Sequence, residues 1–412
     1  GFCEKCNEQY ADIENKWCKK CQISNLKENF TRWTSGNKQI DALVQEIQVK
    51  VNKSSDIIFE WIPYDQFNDI KEIGEGGFAK VYSAKRIHSG IVELDEGDTF
   101  SINKVTDKMV ALKCLYNSQN ITNEFLNEIR AYSIDNSFLT SNILKIYGIS
   151  QNPDTEEYII VLHYAGGGNF NDWMNKHYKN FEWNDKIEVL FSIINGLKEI
   201  HQNQMVHHDF HPGNILFKDN VSTYVYSISG ICISDMGLCG EVGSMSNESK
   251  LFGVMPYMAP EVLRGEPYTQ AADIYSFGMI MYFIATGRQP FSNCVHDHYL
   301  ALDICKDGIR PTINELEAPK CYIDLMKKCW DTNPDNRLNA IEIQEIIKMF
   351  KEQKHYEIER QFKEAEEYRE VEEYRKANLT LDESNQLTTH SQAIYVSRLL
   401  NTECYDDCII KD

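Results

Sequence analysis

No stretch of this 412-residue sequence approaches the ~18 consecutive apolar residues that a helix needs to cross a bilayer. No membrane partner is therefore expected. The first ten residues, GFCEKCNEQY, lack both the basic region and the apolar core of a signal peptide. The expected address is cytoplasmic, with the nucleus left open. An excess of positive charge is missing too: 42 Lys and Arg face 62 Asp and Glu, a formal net charge of −20. That balance argues against a general grip on nucleic acid or on an anionic surface. No repeat of solenoid length is visible. What is present is ordinary for a folded protein, with 42% hydrophobic and 25% charged residues, on a chain long enough for about two or three domains. The sequence begins at Gly1 rather than Met, so a fragment or a processed form is expected and the upstream sequence is left open.

Most of the thirteen cysteines are expected to be free thiols packed as small apolar groups in a reducing compartment. The four at the front differ. Cys3, Cys6, Cys18 and Cys21 form two CxxC pairs separated by eleven residues. Thiolates on two tight turns converge on one tetrahedral Zn2+, and four thiolates leave no open position, so the expected zinc is structural. A disulfide pair or unrelated thiols are the alternatives. Residues 1–25 therefore read as a zinc-binding module and 26–66 as a helical linker, where Ile40, Leu43, Val44, Ile47 and Val51 follow Thr34, Ser35 and Gly36 at i, i+3, i+4 spacing. Its apolar face either docks on the next domain or belongs to a loose connection. Residues 89–108, rich in Gly, Asp, Ser, Thr and Asn, read as an extended loop. In 351–377, Ile358, Phe362, Ala365, Tyr368, Val371 and Tyr374 recur at helical intervals among charges. That amphipathic helix packs on its own domain, stands solvated, or pairs with a partner or a second copy. Residues 378–412 are polar with one apolar island at Ile394 to Leu400, and are expected to be largely disordered.

The chemistry-bearing residues lie between these flanks. HHDFHPGN (His207 to Asn214) supplies Asp209 and, five residues on, Asn214; Asp235-Met236-Gly237 supplies a second carboxylate. Upstream, Gly74, Gly76 and Gly77 punctuate IGEGGFAKV, where backbone amides without a Cβ could approach phosphate oxygens. Lys113 ends Ala111-Leu112-Lys113, and Glu128 follows fifteen residues later on a helical stretch, with Glu124 one turn earlier as the competing choice. Downstream stand Met258-Ala259-Pro260-Glu261, Asp273 and Arg337. On these motifs, residues 67–350 resemble the eukaryotic protein kinases, and within them most nearly the tyrosine-kinase-like group; the added cysteine module resembles an expanded fungal family.

The resemblance implies an α+β, two-lobed fold with a small β-rich lobe and a large helical lobe, and an ATP-dependent enzyme that phosphorylates protein substrates. It places Asp209 as the base at the substrate hydroxyl, Asn214 and Asp235 on Mg2+, Lys113 on the α- and β-phosphates, and Glu128 as its partner. Val161 to Gly166 looks like the hinge between lobes, with Leu162 as gatekeeper, backbone groups of His163 and Ala165 at the adenine edge, and Val81, Ala111 and Leu216 around the ring. Glu261 and Arg337 are implied to pair, and Asp273 to tether the catalytic loop. Several residues depart from the pattern. Ala79 stands at the usual third glycine, Met236 at the usual Phe, and His208 at an Arg that in many kinases receives a phosphorylated loop residue. His208 is a weak phosphate partner, so activity is expected not to depend on phosphorylation of Ser244, Ser246 or Ser249. His211 occupies the place of a Lys common in serine/threonine kinases. Serine/threonine substrates are favoured, and a pseudokinase that uses the fold as a switch is the alternative.

Overall fold

Strands form where apolar residues alternate, and one buried face per strand then fixes the register. The structure is a computed structural model that describes residues 1–54, 56–76, 79–87, 108–119, 121, 123–133, 142–218, 230–236, 240–241, 251–377 and 389–400. The chain divides into two units, Gly1–Ala165 and Gly166–Asp412. The first carries α1 (Lys19–Asn29), α2 (Lys38–Gln48), β1 (Glu60–Trp61), β2 (Phe67–Glu75), β3 (Ala79–Arg86), β4 (Lys108–Leu115), α3 (Asn123–Tyr132), β5 (Ile146–Gln151) and β6 (Tyr158–His163). Its six strands form one sheet in the order β1-β5-β6-β4-β3-β2. Only the β1–β5 pair is parallel. Val110 and Leu112 of β4 join Ile62, Phe67, Ala84, Ile159 and Val161 in a core. The intervening Ala111 and Lys113 therefore belong to the opposite face.

The linker helix is docked. Ile40, Leu43, Val44 and Ile47 of α2 are buried, Gln48 Nε2 donates to the Phe59 carbonyl at 2.7 Å, and Glu46 lies 3.8 Å from Arg130 on α3. The linker also supplies β1, which pairs Glu60 with Gly148 and Trp61 with Ile149. Arg86 Nη2 meets Glu60 Oε2 at 2.7 Å. Burial pushes the Glu60 carboxyl up, against the pull of the Arg86 charge. Gly148 makes this approach possible, since a Cβ there would lie 2.0 Å from the Glu60 carbonyl oxygen.

The second unit carries β7 (Gly168–Asn169), α4 (Phe170–His177), α5 (Trp183–Gln202), β8 (Met205–Val206), β9 (Ile215–Phe217), β10 (Ile231–Ile233), β11 (Gly240–Glu241), β12 (Leu251–Gly253), α6 (Pro260–Leu263), α7 (Gln270–Thr286), α8 (His298–Leu302), α9 (Lys320–Cys329), α10 (Ala340–Glu352), α11 (Tyr356–Ala377) and β13 (Arg398–Leu400). Helix α7 is apolar almost throughout and is accordingly buried on every side. Gly287 ends it at φ +68°, a left-handed position where a Cβ would also meet the Tyr178 ring at 2.7 Å. Asn339 and Glu342 close a capping box on α10. A β-sheet unit followed by a helical unit is the α+β class expected.

Helix α11 packs on its own unit through part of its surface. Phe362 and Ala365 are buried, Phe362 meets Trp183 edge-on at 5.8 Å, and Glu366 Oε2 accepts from the Trp183 N–H at 2.9 Å. Tyr356, Val371 and Tyr374 stay exposed. In the tail, expected to be largely disordered over 378–412, residues 389–400 are described, and there β13 pairs antiparallel with β12. Polar composition averages over the segment, whereas strand addition draws on backbone groups that every residue carries. Residues 378–388 and 401–412, and 89–107 of the expected insertion, lie outside the described residues. Among the described residues no helix is long and apolar enough to cross a membrane.

Gly148→Val is expected to destabilise the first unit by about 2 kcal/mol through overpacking and to speed amide exchange at Glu60 to Ile62. A variant with the parent's urea midpoint and exchange pattern would show that β1 is not held as described.

Candidate active site

In the first unit, the alternation along β4 turns Lys113 toward α3. Its Nζ lies 2.6 Å from Glu128 Oε1, and both side chains are buried. Glu128, the residue favoured from the sequence, is thus a partner of Lys113. Val81 on β3 stands opposite Lys113, and Ala111 stands opposite Leu162 on β6. The His163 N–H donates to the Lys145 carbonyl at 2.8 Å, and the Tyr147 hydroxyl lies 3.0 Å from His163 Nδ1. Ala165 ends this unit. At the β2–β3 hairpin the Gly76 N–H donates to the Ala79 carbonyl at 2.9 Å. A Cβ on Gly74 would meet nothing within 4 Å, and one on Gly76 only the Ala79 oxygen at 3.9 Å. The backbone there is open to a ligand. Gly77 lies outside the described residues.

In the second unit, β8 leads into the His207–Asn214 loop and the β9–β10 hairpin leads into Asp235. Asn214 Nδ2 donates to the Asp209 carbonyl at 2.8 Å and approaches Asp209 Oδ2 at 3.4 Å. That orientation leaves the amide oxygen of Asn214 for another partner. His211 Nδ1 accepts from the Gly213 N–H at 3.1 Å, and its Nε2 lies 3.5 Å from Asp209 Oδ2. Burial pushes the Asp209 carboxyl up, but the charge and hydrogen bond of His211, with help from His207, outweigh both burial and the neighbouring Asp235 charge. The net value lies below the usual 3.8. Asp235 is exposed at φ +56°, followed by a fully buried Met236. Leu216 lies half-buried on β9.

The loop hangs from one buried carboxylate. Asp273, on α7, accepts from the His207 N–H at 2.8 Å, the His208 N–H at 3.2 Å and His201 Nε2 at 2.9 Å. Burial raises its carboxyl and the His201 hydrogen bond and charge lower it further, leaving it below 3.8. Ser234 ties the two motifs together: its N–H and Oγ both donate to the Asn214 carbonyl, at 2.8 and 3.0 Å, and His207 Nε2 reaches the Ser234 carbonyl at 3.0 Å. His201 and Ser234 were not foreseen, because neither carries a signal beyond its position beside a motif. Glu261 and Arg337 form the expected pair, buried and bidentate at 2.5 and 2.8 Å.

Cys3, Cys6, Cys18 and Cys21 converge, with all four Sγ atoms within 4.8 Å of one another and none in a disulfide. The Cys6 and Lys5 N–H groups donate to Cys3 Sγ and hold that thiol down at about 7. The set could hold a metal ion.

Residues 67–373 match the family of protein tyrosine and serine/threonine kinases, and the chain belongs to that family. Its kinase domain has a β-sheet small lobe and a helical large lobe, and the match runs past residue 350 into α11. The probable serine/threonine-protein kinase roco5 of Dictyostelium discoideum is 27% identical over 74% of this chain and 10% of its own length. Serine/threonine-protein kinase STY17 of Arabidopsis thaliana is 28% identical over 46% of this chain and 31% of its own. The dual specificity protein kinase splA of Dictyostelium discoideum is 28% identical over 55% of this chain and 10% of its own. The chain thus spans only a minor part of the length of the relatives it matches.

Asp273→Asn would turn a donor toward N–H groups that now find an acceptor, at a cost of about 3 kcal/mol. Because the folded carboxyl lies below 3.8, the deficit against the parent should be constant above roughly pH 5 and close as the pH falls through the folded value. Urea unfolding from pH 3 to 7 checks this, and an Asn variant of parental stability at pH 7 would overturn it.

Proposed function

We propose that this chain is an ATP-dependent protein kinase of the tyrosine-kinase-like group, resembling an expanded fungal family, that transfers the γ-phosphate to Ser or Thr hydroxyls of protein substrates in signal transduction. The observation that carries the reading is the 2.6 Å Lys113–Glu128 pair. Burying two opposite charges is a poor way to stabilise a small lobe, so such a pair points to a site that needs an oriented ammonium. Serine/threonine kinases among the relatives support the acceptor.

In this mechanism Lys113, held by Glu128, faces the α- and β-phosphates, and the amides around Gly74, Gly76 and Gly77 cover the phosphate chain. The resemblance assigns Val81, Ala111 and Leu162, and separately Leu216, to contacts with the adenine ring, and backbone groups of His163 and Ala165 to its edge. The free amide oxygen of Asn214 and the exposed carboxylate of Asp235 suit a hard cation. Bound there, Mg2+ would offset the phosphate charges. The substrate oxygen attacks the γ-phosphorus, the bond to the β–γ bridging oxygen breaks with its electron pair leaving on ADP, and Asp209 receives the hydroxyl proton. Its lowered pKa keeps Asp209 ionised, so it orients the hydroxyl first and takes the proton late. A structural Zn2+ on Cys3, Cys6, Cys18 and Cys21 belongs to the same proposal. Zn–S bonds of about 2.3 Å put tetrahedral sulfurs on the order of 3.8 Å apart, and the Cys3–Cys21 and Cys6–Cys18 separations are 3.6 and 3.4 Å. The exposed Tyr356, Val371 and Tyr374 of α11 are what remains for self-association or a partner.

Purified protein should transfer labelled phosphate from ATP to Ser- and Thr-bearing members of a peptide library that also offers Tyr, and Asp209→Asn should lower kcat by about 10²–10⁴-fold. No transfer by the parent, or equal transfer by the variant, would refute the reading. Elemental analysis should find one zinc per chain, and a chelator should release it and unfold residues 1–25, read as lost amide protection there; a metal-free protein with an ordered front module would overturn the zinc assignment.

A further inference from the structure

Strand β12 immediately precedes the Val254 to Glu261 segment and leads to the catalytic carboxylate: a Cβ on Gly253 would stand 3.5 Å from Asp209 Oδ1. An isolated strand with its amides and carbonyls on offer is the template to which an extended peptide adds by backbone pairing. Here the chain fills the position itself. Leu251 pairs with Leu400, Phe252 with Leu399 and Gly253 with Arg398, antiparallel. The same segment is held along its length by the loop after α7. The His390 N–H donates to the Ser292 carbonyl at 2.8 Å, His296 Nδ1 accepts from the Ile394 N–H at 2.9 Å, the Tyr395 hydroxyl donates to the Pro290 carbonyl at 2.9 Å, and Arg398 Nη2 donates to the His296 carbonyl at 2.8 Å.

We propose that residues 389–400 are a tethered occupant of a peptide-docking strand at the active site, which a protein substrate must displace. This rests on the kinase reading above. Two features make the occupant a blocker that can leave. The residue beside Gly253, and so nearest in register to Asp209, is Arg398, which has no hydroxyl to accept a phosphoryl group. The seat is also imperfect: Leu400 is buried, but Val396 and Leu399 are 68% and 51% exposed, and Ser397 Oγ is buried without a hydrogen-bond partner. Docking therefore depends on the tether. Helix α11 is anchored at Phe362 and Glu366, and residues 378–388 join it to the docked segment. A short linker gives an effective concentration on the order of 1 mM. Against an intrinsic dissociation constant of about 0.1 mM, that raises the apparent KM for a competing peptide by about ten-fold.

The test compares the full chain, Leu400→Asp and a chain ending at Ala377, using a peptide substrate taken from the library screen. The expected result is a KM for peptide about ten-fold lower in both variants, with kcat and the KM for ATP unchanged, and loss of amide protection at Leu251 to Gly253. Added back as a synthetic peptide, residues 389–400 should inhibit the shortened chain competitively against peptide and not against ATP. Unchanged or higher KM in both variants overturns the proposal, as does phosphate incorporated at Ser397 of the full chain, which would make the segment a substrate in cis. Fluorescence anisotropy of labelled 389–400 peptide on the shortened chain separates the two readings without turnover. Binding without phosphate transfer by any of the three proteins sinks the kinase assignment and keeps the docking; transfer without binding sinks the docking alone.

Discussion

The carboxylate of Asp273 is the constraint on which the site in the helical unit depends. It is fully buried on a helix that is itself buried all round, and it faces three donors from two other elements. An isolated carboxylate in such surroundings would cost many kcal/mol or take up a proton. With three donors it remains ionised, and the donors are in turn unable to leave without exposing it. His207 and His208 thereby acquire fixed backbone positions, His208 at a left-handed φ of +70°, a conformation that costs of order 1 kcal/mol or more and persists only where the surroundings dictate it. Asp209 is the next residue. Its place is consequently set from α7, with Asn214 and Ser234 bracing the far end of the loop.

A parallel logic holds in the sheet unit, with an ion pair where the helical unit has a hydrogen-bonded carboxylate. Lys113 and Glu128 sit on different elements, so their 2.6 Å contact fixes α3 to β4. Breaking a buried pair of this kind strands a charge. The Arg86–Glu60 pair does the same for the linker, and Glu261 with Arg337 for the segment after β12. Each of these buried pairs therefore joins two pieces of chain that hydrophobic contact alone would leave free to slide. That use is consistent with charge specifying geometry while apolar burial supplies most of the stability.

The candidate site is marked in the sequence more plainly than the architecture around it. Asp209, Asn214, Asp235, Lys113 and Glu128 are legible because the chemistry restricts the residue type at each position and the local fold restricts the spacing. The heptad-like stripe of α2 is legible for the same periodic reason, although its cap is Asn37, while Thr34 and Ser35 hydrogen-bond Asp41 instead. What escaped were interactions made through space by unremarkable residues. His201 sits 72 positions from Asp273, and nothing in either neighbourhood announces the other. β1 is two residues long and β13 three, too short for alternation to be seen. Both add to existing strands through backbone groups that every residue possesses, so no side-chain pattern marks them.

Those two added strands also explain why the flanks of the kinase domain differ in character. An exposed strand edge invites a partner, and proteins cover it or blunt it. β1 covers its edge permanently: a buried ion pair holds it, Ile62 beyond it enters the sheet core, and Gly148 leaves no room for a looser fit. β13 covers its edge with one buried leucine and a set of hydrogen bonds to loop carbonyls, several of its apolar side chains remaining in water. Local opening free energy follows buried apolar contact. The front flank therefore opens only with its whole sheet, whereas the rear flank can leave while everything it touches stays folded. The strand it exposes on leaving is the one beside Asp209, so the looser of the two added strands is the one next to the candidate catalytic loop.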